Sequence, residues 1–190
     1  MKKIILASQS PRRKMLLEWA EIDCKVMAKE TAETYPEGLP LISVPVHIAR
    51  NKALAAQSLE ALQGPGYIIV AADTIVVLGE EVIGKPRDRE DAIGILKRLS
   101  GKTHQVITGV AILEQDKEVL FADTTEVEFY ELTEQQIAFY VDKYKPYDKA
   151  GAYAIQEWIG VTGIKSIRGD FYNVMGLPVS RLVNALNDFR

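Results

Sequence analysis

The sequence predicts an α/β protein, a mixed β-sheet flanked by helices, and three observations carry that expectation. Apolar runs of strand length, at residues 4–7 and 67–72, alternate with amphipathic stretches of helical period. Gly79-Glu80 is a turn signal joining residues 74–78 to 81–83 as a hairpin, which a purely parallel sheet lacks. Two long β-rich runs, 104–113 and 119–130, are joined only by the polar turn Glu114-Gln115-Asp116-Lys117. A chain of 190 residues suits one domain over 1–190, with two lobes around a central cleft as a variant of it.

The elements follow in order. Ile4-Ile5-Leu6-Ala7 is the first strand. Ser10 is placed as N-cap of the next helix and Pro11 as its first residue, where each is favoured, with Met15, Leu16, Leu17 and Trp19 as apolar positions. Residues 29–45, rich in Glu, Thr and Pro, read as loop, and 46–62 as a helix ended by Gln63-Gly64-Pro65-Gly66. The run Tyr67-Ile68-Ile69-Val70-Ala71-Ala72 reads as a strand buried on both faces, Asp73 stands at its end, and 74–78 continue extended. Gly84-Lys85-Pro86 breaks the hairpin. Asp88 caps a helix to about Leu99, with Ile93, Leu96 and Leu99 on one face and Ser100-Gly101 as its stop. Thr133 with Gln136 is a capping box opening a helix to about Tyr144. Residues 148–156 are small and polar in pattern, 161–167 strand-like, 168–173 a turn and 178–189 a terminal helix.

Composition removes several function classes. Lys and Arg total 23 against 26 Asp and Glu, a formal net charge of -3. That is not a polycation, and no aromatic-basic motif is present, so nucleic acid is not the expected partner. No stretch approaches the ~18 apolar residues of a membrane span. The apolar run after Lys2-Lys3 is too short for a signal peptide, and a cytoplasmic soluble protein is expected. Cys24 is the single cysteine, so an intramolecular disulfide is excluded; its apolar context suggests a small core residue. No Cys/His cluster has zinc-ligand spacing.

The candidate chemistry begins at Ser8-Gln9-Ser10-Pro11-Arg12-Arg13. Arg12 and Arg13 fall in a helical first turn, beside unpaired N–H groups and the positive end of the dipole. Two cations there suggest an arriving anion, and phosphate fits a helix N-terminus with guanidinium forks. An ordinary capped helix with two solvated arginines is the alternative. Asp73, a carboxylate against a buried strand, is costly unless paired, hydrogen-bonded or bound to metal. It reads as a metal ligand or general base, against a salt-bridged turn residue. Lys85, between Gly84 and Pro86, offers a compact charge where backbone or phosphate approaches closely, against a plain surface turn. Lys52 shares its helix with His47 and Arg50, and its alternative is a solvated face. Gln156 carries donors and an acceptor that could read a base edge, and Glu33 is a second candidate metal ligand. His47 and His104 have no partners suggesting a Ser-His-Asp triad and read as structural or solvated.

Several of these segments recur in one known pattern. They are Ala7-Ser8-Gln9-Ser10-Pro11-Arg12-Arg13, Ala49-Arg50-Asn51-Lys52-Ala53, Ala71-Ala72-Asp73-Thr74 and Gly84-Lys85-Pro86. Leu99-Ser100-Gly101-Lys102-Thr103-His104, Asp148-Lys149-Ala150-Gly151-Ala152-Tyr153 with Gln156, and Tyr172-Asn173-Val174 with Gly176-Leu177-Pro178 complete the set. In this order, over essentially the whole chain, they resemble the Maf family of nucleoside triphosphate pyrophosphatases, which have an inosine-triphosphatase-like fold. The sequence departs from that pattern in Ala154 and Glu157-Trp158, where small glycines are common, and around Glu33, where relatives often carry an additional acid.

The resemblance implies cleavage between the α- and β-phosphates, with Asp73 as proton acceptor. Pro11-Arg12-Arg13 and Asp73-Thr74 resemble the branch acting on dTTP and UTP. There, the positions matching Arg12, Thr74 and Gln156 bear on base selectivity. Ser8, Arg13, Lys52 and Lys85 match phosphate-contacting positions, and Glu33 resembles the family's loop carboxylate. A divalent metal, Mg²⁺ or Mn²⁺, held by Glu33 and Asp73 is expected to neutralise the triphosphate. The expected partner is a pyrimidine nucleoside triphosphate, the expected assembly a homodimer and the expected role house-cleaning of the nucleotide pool. The competing function is a nucleotide-sensing regulator of septum formation that binds triphosphates without turnover. Such a binder needs the basic groups but has no need of Asp73 as a base.

Overall fold

The computed structural model describes residues 2–62 and 64–189. In chain order the regular elements are β1 (Lys3–Leu6), α1 (Pro11–Trp19), β2 (Cys24–Val26), α2 (Val44–Gln57), β3 (Tyr67–Leu78), β4 (Glu81–Ile83) and α3 (Arg89–Leu99). Then come β5 (Thr103–Glu114), β6 (Lys117–Phe129), α4 (Glu134–Tyr144), α5 (Trp158–Gly163), β7 (Ile164–Arg168), α6 (Phe171–Met175) and α7 (Val179–Leu186). The seven strands form one sheet in the order β2-β1-β3-β5-β6-β7, with β4 beside β3. Strand β1 runs parallel to β2 and β3, whereas β3 with β4 and β6 with β7 are antiparallel. The mixed sheet is thus as the sequence predicts.

The described residues fall into two compact units. The first draws on Met1–Asp73, Thr108–Asp123 and Gly176–Arg190, the second on Thr74–Ile107 and Thr124–Met175. In the first, α2 lays Ala49, Ala53 and Ala56, one helical face, against Ile5 of β1 and Ala7 just after it, Ile69 and Ala71 of β3, and Ala111 and Leu113 of β5. Alanine side chains bring a helix close to a sheet. Gly109 on β5 brings it closer still: a Cβ there would lie 2.2 Å from the Pro45 carbonyl carbon and the Val46 nitrogen. In the second unit α3 packs on α4 and on the turn at 150–152. Asp88 caps α3 by accepting from the Asp91 N–H at 2.8 Å. Thr133 and Gln136 exchange both bonds of the capping box on α4, at 3.2 and 2.8 Å. His104, Phe129 and Tyr153 form a buried edge-to-face ring cluster.

Several expectations change. Asp73 is not at a strand end: β3 is continuous through it to Leu78, and residues 76–78 pair with β4. Ser10 is the N-cap by position, but its hydroxyl makes no capping bond. The second helix starts at Val44, with Pro45 inside its first turn, and ends at Gln57; 60–62 is a 3-10 turn, and of the expected stop Gln63 lies outside the described residues. Residues 158–163 are helical, so only 164–168 is strand, and 171–175 is a short helix rather than a turn. The terminal helix ends at Leu186, and 187–189 is a 3-10 turn. Cys24 is half-buried on the edge strand β2 rather than in the core. Its thiol is pushed above its ordinary pKa by burial first and then by Asp23 and Glu18, which disfavours the thiolate.

Candidate active site

The first unit holds six of the expected residues, Ser8, Arg12, Arg13, Glu33, Lys52 and Asp73. Leu16 and Leu17 bury one face of α1, and Arg13, one turn earlier, lies at the edge of that face. Its Nε donates to the Gly176 carbonyl at 2.8 Å and its Nη1 to Ser8 Oγ at 3.1 Å. Ser8 Oγ also accepts from the Ser10 N–H at 3.2 Å. The hydroxyl serving this helix entry is therefore Ser8, not Ser10. With both contacts accepted, the Ser8 O–H proton is left to be donated. No acidic residue stands in the first turn of α1 to offset its dipole. Burial lowers the Arg13 pKa, Asp73 opposes that, Arg12 adds to it and Glu33 opposes it. The guanidinium remains cationic.

The second gathering is at Lys52. Its Nζ donates to Asp73 Oδ1 at 2.6 Å and to Glu33 Oε1 at 2.7 Å. The alanine face of α2 seats that helix on β3, which lets the lysine stem reach the carboxylate. Asp73 is buried among Ala71, Ala72 and Ile75, so the ammonium offsets a desolvation that the apolar strand cannot. The side chains of Asp73 and Lys52 are 11% and 16% exposed, while Glu33 is 49% exposed. Arg12 is half-buried in the first turn of α1.

Thr74, Lys85 and Gln156 belong to the second unit. Thr74 is half-buried on β3, and Lys85 is exposed in the loop after β4. That loop is tied to the 150–152 turn by the Gly151 N–H on the Gly84 carbonyl at 3.1 Å. Gly151 has φ +73°, and a Cβ there would press on Val76 at 2.9 Å, so glycine suits the position on both counts. Gln156 is exposed on a turn whose neighbours Ala154 and Ile155 are buried.

The sequence matches the family described as Maf-like protein over residues 3–189. The chain belongs to the Maf family. It is 50% identical over 183 residues to a dTTP/UTP pyrophosphatase of Cytophaga hutchinsonii, covering 96% of this chain and 82% of that one. It is 47% identical over 188 residues to a dTTP/UTP pyrophosphatase of Porphyromonas gingivalis, covering 98% and 94%. Identity to the protein of that name from Bacteroides thetaiotaomicron is 48% over 185 residues, covering 97% and 94%.

This Maf protein presents oxygen donors of the kind a hard divalent cation takes. Glu33 and Asp73 already share one cation, the Lys52 ammonium. Among the described residues no group of three or more His, Cys, Asp or Glu could form a closed metal cage. Mg²⁺ is commonly held by one or two carboxylates with water and substrate phosphate, and the residues here fit that pattern. No described helix is long and apolar enough to cross a membrane.

Two contacts were not legible in the sequence. The Gly176 carbonyl meets Arg13, and Gly176 at φ +116° before Leu177-Pro178 signals a turn without indicating its donor. Tyr140 contacts the Gln156 turn from α4, and no local pattern in the sequence marks it.

Proposed function

We propose that this Maf protein hydrolyses pyrimidine nucleoside triphosphates, dTTP and UTP foremost, to the monophosphate and pyrophosphate. The observation that carries the reading is the Lys52 junction, a buried Asp73 and a loop Glu33 on one ammonium. It lies in a chain 47–50% identical to proteins named for that activity. In this reading Arg12, Arg13 and the Ser8 hydroxyl at the start of α1, with Lys52 and Lys85, bind the phosphates and stabilise their developing charge. Asp73 accepts a proton from the attacking water. The water oxygen bonds to phosphorus as the α–β anhydride bond breaks, and the bridging oxygen leaves with the electron pair. Mg²⁺ or Mn²⁺, held by Glu33 and Asp73, would supply charge neutralisation for the triphosphate. Arg12, Thr74 and Gln156 select the base. A cytoplasmic homodimer clearing the nucleotide pool, including CTP or modified pyrimidine nucleotides, completes the reading.

The test is pyrophosphate release with Mg²⁺ or Mn²⁺ across standard and modified nucleoside triphosphates, wild type beside Asp73→Asn. Loss of a general base typically costs ~10²–10⁴-fold, so a folded Asp73→Asn should keep little of the turnover of dTTP and UTP. Near-normal turnover by that variant sinks the assignment of Asp73. Binding without turnover by the wild type moves the reading to nucleotide sensing.

A further inference from the structure

Gln156 is exposed, yet its backbone is anchored more firmly than a surface turn requires. The Tyr140 side chain, fully buried on α4, reaches this turn with its hydroxyl. The Ala154 N–H donates to Tyr140 Oη at 3.1 Å, and the Tyr140 O–H donates to Glu157 Oε2. One phenol therefore joins the residues two before and one after Gln156. The Glu157 N–H closes the turn on the Ala154 carbonyl at 3.1 Å. Lys149, nearly buried, stands 3.6 Å from Glu157 Oε1 and 2.8 Å from Asp148 Oδ1, and so balances the carboxylate. From the other side α5 admits the turn only because residue 160 is glycine. A Cβ there would lie 1.7 Å from the Ile155 carbonyl oxygen.

A phenol, a carboxylate and a lysine kept largely from water are an expensive way to hold a loop if stability alone is at stake. What they fix is the position of one exposed amide. We propose that Tyr140 and Glu157 are positioning residues for Gln156, and that this clamp sets how well the protein discriminates among bases. The proposal rests on the reading of Gln156 as a base-selecting side chain. An amide reads a base only when its donors and acceptor are held in register, since a hydrogen bond weakens steeply with misalignment. Tyr140→Phe removes the hydroxyl and keeps the ring. Glu157→Ala removes the carboxylate at a partly exposed site.

The experiment compares kcat/KM for UTP and for ATP in wild type, Tyr140→Phe, Glu157→Ala and Gln156→Ala, all with Mn²⁺. In both clamp variants the UTP-to-ATP ratio should fall about five- to tenfold, the effect of one misplaced amide hydrogen bond, with the loss in KM for UTP. Gln156→Ala should lower it at least as far. A purely structural role would reduce the folded fraction and scale both substrates alike; an unchanged ratio therefore overturns the clamp. If Tyr140→Phe does not fold, the Glu157→Ala ratio decides. An unchanged ratio in Gln156→Ala overturns the assignment of the amide to the base, and the clamp's role with it. A wild type that turns over no triphosphate overturns both the proposed function and this inference. A wild type active on UTP with an unchanged ratio in the clamp variants overturns the inference alone.

Discussion

Lys52 holds two carboxylates of unequal burial, and the inequality predicts unequal consequences. Lys52→Met leaves Asp73 within an apolar strand without the ammonium on its Oδ1, at a cost of about 3 kcal/mol. Glu33→Gln weakens a pair whose carboxylate is half in water, at under about 1 kcal/mol. Urea unfolding of the two variants checks this; equal costs would show that Asp73 is not desolvated as its burial indicates. At this scale the sequence was informative about residue types. A lone acid in a continuous apolar run, and two arginines where a helix disfavours cations, are chemical anomalies visible without coordinates. The partners were not visible. Nothing local marks Glu33 as sharing an ammonium with Asp73, and the hydroxyl at the entry to α1 belongs to Ser8 although Ser10 occupies the cap position.

At the scale of the element, the placement of α2 depends on one residue of a neighbouring strand. Gly109→Ala on β5 drives a Cβ into the backbone at Pro45 and Val46, so either the helix or the strand must shift. Overpacking of this kind costs about 1–3 kcal/mol. Because α2 carries Lys52, turnover should fall as well, and a displacement of about 1 Å in a site can cost 10²-fold. Thermal melts with pyrophosphate release measure both; a variant with unchanged stability and rate would mean that α2 does not depend on this close approach. Elements with local signals were legible. The Asp88 cap, the Thr133–Gln136 capping box and the Gly79-Glu80 hairpin are each written within a few residues, and each is formed. Residues 161–163, strand-like in sequence, and 171–173, turn-like in sequence, are helical. Gly160, needed where α5 meets the Ile155 carbonyl, and the β-branched Val161 and Thr162 all weaken the helical signal there, while packing decides in favour of the helix.

At the scale of the whole molecule, His104 makes stability depend on pH. It is buried in the ring cluster, with Nε2 2.7 Å from the Tyr153 hydroxyl and Nδ1 without a hydrogen-bond partner. Burial pulls its pKa down from 6.5 to about 4. Between those values the unfolded chain binds a proton that the folded chain refuses. Stability therefore rises with pH across that window and is lost as pH falls from about 6.5 to about 4, by about 3 kcal/mol from this residue. His104→Phe should flatten the melting temperature across that range relative to wild type. An identical slope in both proteins would remove His104 as its source.

By itself, the sequence determined what depends on neighbours in the chain: the mixed α/β class, the Asp88 cap, the Thr133–Gln136 capping box and the Gly79-Glu80 hairpin. Local hydrogen bonding and hydrophobic period act over a few residues, so a linear reading recovers them. Only the tertiary structure decided which groups meet. Lys52 finds Glu33 and Asp73 at separations of 19 and 21 residues, and Arg13 finds a carbonyl 163 residues away. Those pairings follow from the need to satisfy polar groups wherever packing buries them, and burial is a property of the folded chain rather than of any segment.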